Sequence, residues 1–217
     1  MSNSKPRIVV IGGSFNPPTL AHSHLYSPLL QSNLFSQIIY LPCGSREDKA
    51  SLVSFHHRVS MLSKAIGESW GKEVPLVCSL GKPAVIGDAS EPILIDIFEN
   101  CASERMIPTF RVMQRYKANF PAFEFHFVIG TDLLGSLRSW DFWGRGLESV
   151  DFVVMPRRNF KLENLPPKHT IVEAELESNS TEARTHVKQF GYDPLYLLEN
   201  VPRTVLEYME KHQLYKD

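Results

Sequence analysis

Short β-branched runs alternate with amphipathic stretches along most of this chain. Arg7-Ile-Val-Val-Ile11 is apolar, too short for a helix, and broken by Gly12-Gly13 and Pro17-Pro18, so it predicts a buried parallel strand. From Thr19 to Ser32, Leu25, Leu29 and Leu30 share one side of a predicted helix, and Ser36 to Leu41 forms a second strand ended by Pro42. Val59, Met61, Leu62 and Ile66 give a helix over 53–66, and Val74 to Cys78 gives a third strand with its proline placed early. Residues 80–102 carry Gly81, Pro83, Gly87, Asp88 and Pro92 around the apolar run 92–98, and are read as a long loop or insertion. A helix over 109–119 stops at Phe120-Pro121, and strands follow at 123–129, 150–155 and 170–173. Val205, Leu206 and Met209 mark the apolar face of a closing helix over 201–211. Alternation of this kind predicts an α/β fold: one doubly wound domain over 1–217, a mostly parallel sheet, and a C-terminal helical segment from about 178.

Charge narrows the partners. The 217 residues hold 23 Lys+Arg against 24 Asp+Glu, a net charge of −1, which argues against binding to a nucleic-acid backbone and requires any phosphate site to be local. No apolar run approaches the ~18 residues of a membrane span, and Met-Ser-Asn-Ser-Lys-Pro has no apolar signal core. An intracellular protein, cytoplasmic and/or nuclear, is expected. Cys43, Cys78 and Cys101 form no CxxC pair, so neither a disulfide framework nor a zinc site is expected.

The most informative segment is Gly12-Gly-Ser-Phe-Asn-Pro-Pro-Thr-Leu-Ala-His22. Glycines after a buried strand let backbone N–H groups approach a ligand, and a helix starting near Thr19 turns its positive end to the same place. Thr19 and His22, three apart, share a face of the first turn. Taken alone, the glycines fit a tight turn and the histidine a cap or surface residue. Near the other end, Ser180 and Thr181 can cap a helix or offer hydroxyls and N–H groups to a phosphate, with Arg184 one turn on. Asp132 follows a strand at the edge where open sheets bind ligands, and reads equally well as a helix cap. Of Trp140 and Trp143, one can stack on a ligand while the other fills the core.

Gly13-Ser-Phe-Asn-Pro followed by Thr-x-x-His resembles the nucleotidyltransferase signature, in the form most like the nicotinamide and nicotinate mononucleotide adenylyltransferases. Lys49, His57-Arg58, Gly130-Thr-Asp-Leu-Leu134 and Asn179-Ser-Thr-Glu-Ala-Arg184 are similar to further family motifs in the same order, and residues 201–215 resemble the terminal helix of eukaryotic members. The resemblance implies a Rossmann-like fold and transfer of AMP from ATP to nicotinamide mononucleotide, with nicotinate mononucleotide as a second acceptor, giving a dinucleotide and pyrophosphate. It implies catalytic roles for His22, Thr19 and Arg184, and ATP contacts from Gly13, Ser14, Phe15, His22, Gly130, Asp132, Ser180, Thr181 and Arg184. Mononucleotide contacts fall to Ser14, Phe15, Lys49, Arg58 and Trp140. Mg²⁺ would be held mainly by substrate phosphates, with no protein metal ligands, and a homo-oligomer is compatible with the family.

The chain departs from the family pattern at Asn179 in place of a serine, at Ala21 in place of a glycine, and at Val112 in place of a threonine. The aromatic or Trp-Glu element that relatives carry after the third strand is represented only by Cys78-Ser-Leu-Gly-Lys-Pro83. Two rival readings follow: an adenylyltransferase for a different phosphate-bearing acceptor, and a nucleotide-binding regulator with weak turnover.

Overall fold

The computed structural model describes residues 5–45, 51–102, 105–174 and 179–216. Its centre is a seven-stranded sheet in the order β3-β4-β2-β1-β5-β6-β7, parallel throughout. The strands are β1 (Arg7–Gly13), β2 (Gln37–Pro42), β3 (Leu76–Val77), β4 (Ile93–Asp96), β5 (Glu124–Gly130), β6 (Asp151–Met155) and β7 (His169–Ile171). The chain winds outward from β1 in one direction, then returns to β1's other side to place β5, β6 and β7. The switch between β1 and β5 opens a crevice at the carboxyl ends of the strands, where doubly wound sheets bind ligands.

Burial follows the strand period of two. Ile8 and Val10 join one core with Ile39, Leu94, Tyr116, Phe125 and Phe152, while Val9 and Ile11 join the opposite core with Tyr26, Ile38, Leu62 and Ile95. Each fully buried aliphatic side chain contributes roughly 1.5–3 kcal/mol relative to exposure. Helices cover both faces: α1 (Leu20–His24), α2 (Tyr26–Gln31), α3 (Phe55–Trp70), α4 (Phe98–Ala102), α5 (Thr109–Asn119), α6 (Ser180–Phe190), α7 (Pro194–Leu197) and α8 (Arg203–Lys211). A third cluster joins Met61 and Ala65 of α3 to Ala183 and Val187 of α6 and to Val205 and Met209 of α8, fixing the C-terminal segment to the sheet layer.

Two expectations need correction. The helix predicted over 19–32 divides into α1 and α2 at Leu25. Segment 80–102, expected as a loop or insertion, contains β4, all four of whose residues are buried between β2 and β3, and then α4. What precedes β4 is tied down from within. The buried Gln37 amide donates to the carbonyls of Val85, Asp88 and Glu91, and its Oε1 accepts from Gly87 N–H at 2.8 Å. One polar side chain thus satisfies a turn that composition alone presents as free loop.

Candidate active site

A cleft of about 700 Å³ lies over the carboxyl ends of β1, β5 and β6, within the range of nucleotide-sized pockets. Gly13, Ser14, Phe15, His22, Gly130, Asp132, Trp140 and Ser180, all singled out from the sequence, line it together. Phe15 is buried at a φ of 47°, a left-handed conformation that non-glycine residues adopt at a cost and that sets the direction of the loop. Its ring meets His22 edge-on at 5.3 Å and leaves no slack beside Gly13, where a Cβ would come within 3.0 Å of it.

Thr19 and His22 are joined by a reciprocal cap. Thr19 is the N-cap of α1, and its backbone N–H donates to His22 Nδ1 at 3.1 Å while its Oγ1 lies 2.6 Å from the same nitrogen. An imidazole that accepts a backbone N–H at Nδ1 carries its neutral-form proton on Nε2, so His22 is a hydrogen-bond donor without being charged. Burial, and then the charge of Arg157, hold its pKa down to about 4. Tyr40, itself buried, donates its hydroxyl to the His22 carbonyl at 3.0 Å. Thr19, expected as a catalytic residue, is wholly buried and outside the cleft wall, and it meets the cleft only through its contact with His22.

The distant C-terminal motif is docked on this same loop. Asn179 caps α6, its Oδ1 accepting from Thr181 N–H at 2.9 Å, so the asparagine in place of a serine keeps the capping function. Ser180 Oγ donates to Pro17 O at 2.9 Å; Arg184 donates to Asn16 O at 2.7 Å and to Thr181 Oγ1 at 3.1 Å. The Asn16 side chain donates to Ser51 O and accepts from Val53 N–H and from the Tyr215 hydroxyl. Only Ser180 of this motif reaches the cleft wall; Thr181 is exposed outside it, and Arg184 is turned onto Asn16 O.

Arg58 is also behind the loop. Expected as a mononucleotide contact, it is buried outside the cleft lining and donates to Val53 O, Ser14 O and Cys43 O at 3.2, 2.9 and 2.8 Å. Bonds to three backbone carbonyls explain its depth. Lys49 lies outside the described residues. Trp140 and Trp143 both pack half-buried against the core, and of the two Trp140 lines the cleft.

Two side chains of the cleft were not read from the sequence. Glu99, one residue into α4, accepts Gly44 N–H at 2.8 Å and Ile107 N–H at 3.1 Å on Oε2, and burial raises its pKa to about 7. It follows Phe98 directly, which is buried in the core outside the cleft wall, so of this aromatic-acidic pair only Glu99 reaches the cleft. Beneath it, buried Asp96 accepts the Tyr116 hydroxyl at 2.7 Å and the N–H groups of Ser79 and Phe98. Arg157, just past β6, places Nη1 3.3 Å from Asp132 Oδ2. Among the described residues, no group of three or more His, Cys, Asp or Glu side chains is disposed to hold a metal ion, and no helix is long and apolar enough to cross a membrane.

The sequence profile of the cytidylyltransferase-like family matches residues 10–186, and the chain belongs to that family. It is a nucleotidyltransferase enzyme with a Rossmann-like fold. A protein of Enterococcus faecalis named "Probable nicotinate-nucleotide adenylyltransferase" is 26% identical over 218 residues, covering 99% of this chain and 87% of that one. One of Oceanobacillus iheyensis with the same name is 24% identical, covering 96% of each. The solved nicotinic acid mononucleotide adenylyltransferase of Plasmodium falciparum, complexed with NaAD, superposes with a TM-score of 0.76 at 25% identity, covering 97% of each chain.

Proposed function

We propose that this enzyme transfers the AMP moiety of ATP to a pyridine mononucleotide, accepting nicotinamide mononucleotide and nicotinate mononucleotide, and releases pyrophosphate. The observation that carries the reading is the Thr19–His22 cap, which fixes a neutral imidazole as an Nε2–H donor in a cleft that also presents Asp132 and Ser180. The relatives' names support the pyridine acceptor, and the terminal-helix resemblance to eukaryotic members adds to it.

The reaction requires no protein nucleophile. A phosphate monoester, with a second pKa near ~6, is already largely dianionic at neutral pH. One of its oxygens attacks the α-phosphorus of ATP; the bond from that phosphorus to the oxygen bridging to the β-phosphate breaks, and pyrophosphate leaves. His22 Nε2–H donates to a phosphate oxygen as charge builds there, and Thr19 keeps the ring in the productive tautomer. Asp132 accepts ribose hydroxyls, Ser180 and the N-terminus of α6 meet the far phosphates, and Trp140 stacks on the pyridine. Arg58 and Arg184 are positioning residues that hold the loop carrying Ser14 and Asn16. Mg²⁺ would be carried by the triphosphate and would neutralise part of its charge.

Product identification tests the reading: the protein is incubated with ATP, Mg²⁺ and each mononucleotide, and the mixture is resolved by mass. Dinucleotide and pyrophosphate in equal amounts are expected. ATP binding with no dinucleotide from any pyridine acceptor would sink it and favour a regulator, while turnover confined to another phosphate-bearing acceptor would favour the alternative enzyme.

A further inference from the structure

Cys78 and Cys101 meet at the β3 edge of the sheet, although they stand 23 positions apart in the chain. Cys78 follows β3 and precedes the short 3₁₀ turn Ser79–Gly81, while Cys101 lies on α4. The backbone brings these two segments side by side. Val77 is paired with Asp96, Ile97 N–H donates to Val77 O at 2.9 Å, and Cys101 N–H donates to Ile97 O at 3.3 Å. Cys101 therefore stands one helical turn beyond the strand neighbour of Cys78. The Asp96 carboxylate fixes both sides of the seam: Oδ1 accepts Ser79 N–H at 3.1 Å, next to Cys78, and Phe98 N–H at 3.0 Å, at the start of α4.

Across this seam the two thiols are hydrogen-bonded to each other. Both are free, Cys78 half-buried and Cys101 exposed. Free cysteine is ordinarily among the most buried residue types, so an exposed thiol that touches a second one stands apart from a packing role. Cys43, the third cysteine, is buried at the cleft wall. The mutual hydrogen bond, followed by burial and the charges of Cys78 and Asp96, pushes the Cys101 pKa up to about 11. At neutral pH Cys101 keeps its proton, and attack falls to Cys78.

We propose that Cys78 and Cys101 form a reversible disulfide by exchange with a low-molecular-weight disulfide such as oxidised glutathione, and that the new bond clamps α4 to the end of β3. The Cys78 thiolate attacks one sulfur of oxidised glutathione; the glutathione S–S bond breaks, and the released thiolate takes up the proton that Cys78 gave. The Cys101 sulfur then attacks the Cys78 sulfur of the mixed disulfide and expels the second glutathione, which receives the Cys101 proton. Two protein thiols are oxidised and one glutathione disulfide is reduced to two thiols. α4 also carries Glu99, whose carboxylate holds Gly44 N–H and Ile107 N–H at the cleft. The clamp thus reaches the cleft without touching a substrate, and it does not depend on the adenylyl-transfer reading.

The reduced protein is incubated with oxidised glutathione, freed of excess reagent, weighed by mass spectrometry and mapped by non-reducing peptide digestion. Loss of two hydrogens, a Cys78–Cys101 linkage and reversal by dithiothreitol are expected. The oxidised protein should melt about 5–10 °C above the reduced one, and its Gly44 and Ile107 amides should exchange hydrogen more slowly. Cys101→Ser, which lacks the second thiol, should retain one glutathione on Cys78. A lasting glutathione adduct on wild type, a disulfide between two chains, a linkage through Cys43 or no reaction would each overturn the inference. A melting temperature that does not rise, or unchanged exchange at Gly44 and Ile107, would overturn the clamp, and an unmodified Cys101→Ser would overturn attack by Cys78.

Discussion

Replacing Glu99 by Gln should stabilise the protein at alkaline pH and leave it nearly unchanged in acid. Glu99 is buried at the cleft floor, and burial raises its pKa from 4.5 to about 7 despite two backbone N–H donors and the nearby charge of Arg58. Between those values the folded protein holds a proton that the unfolded chain has released. Stability therefore falls as pH rises through this window, and the full penalty is present above about pH 7. The displacement corresponds to on the order of 3 kcal/mol of differential interaction. Glutamine keeps an oxygen for Gly44 N–H and Ile107 N–H and has no charge to bury. Urea unfolding of both proteins isolates the effect, since other titrating groups cancel in the difference. A gain of about 1–3 kcal/mol near pH 8.5, shrinking towards zero near pH 5, is expected. A stability difference that stays constant across that range would refute the reasoning.

His22 should show the opposite slope: with its folded pKa held near 4 against 6.5 unfolded, stability is lost as pH falls through that interval, and His22→Gln should flatten the acid limb of the urea-midpoint profile. His22→Ala should lower kcat by about 10²–10³, measured as pyrophosphate release, because it removes a preorganised donor; near-normal release would contradict the mechanism. Gly130→Ala should raise KM for ATP by about 10–100-fold, since its Cβ would come 2.3 Å from Asp132 Oδ1 and displace that carboxylate; unchanged KM would detach Asp132 from ribose binding. Arg58→Lys should cost on the order of 2–4 kcal/mol in urea unfolding, because an ammonium cannot reach the Val53, Ser14 and Cys43 carbonyls together.

Most of the sheet was readable because buried parallel strands are short β-branched runs with sharp stops, as at Arg7–Ile11 and Val150–Met155. β4 escaped for the same reason in reverse. Its few apolar residues follow Pro92 in a stretch punctuated by glycine and proline, and the side chain that orders that stretch, Gln37, lies on another strand. Missing β4 also concealed Glu99, whose position after a strand end would have flagged it. The first loop and α6 were legible as motifs, but not the division of labour within them. Arg58 and Arg184 are cations in suitable motifs, yet which backbone carbonyls they meet depends on tertiary packing. Arg157 had a signal, a cation at the end of β6 after Pro156, hidden in a polar segment.

The Tyr215 hydroxyl bonds to Asn16 Oδ1 across 199 positions, and Arg184 bonds to Asn16 O across 168. Such contacts close some of the longest loops among the described residues, and their closure entropy is correspondingly high. During synthesis the central strands can pair while the first loop still lacks the partners that shape it, so a growing chain has its scaffold before it has a competent cleft. Nucleotide chemistry is thereby coupled to the arrival of residues near 215 rather than to completion of the sheet. A chain stopped short of them would keep most of its core and lose the loop geometry on which His22 depends.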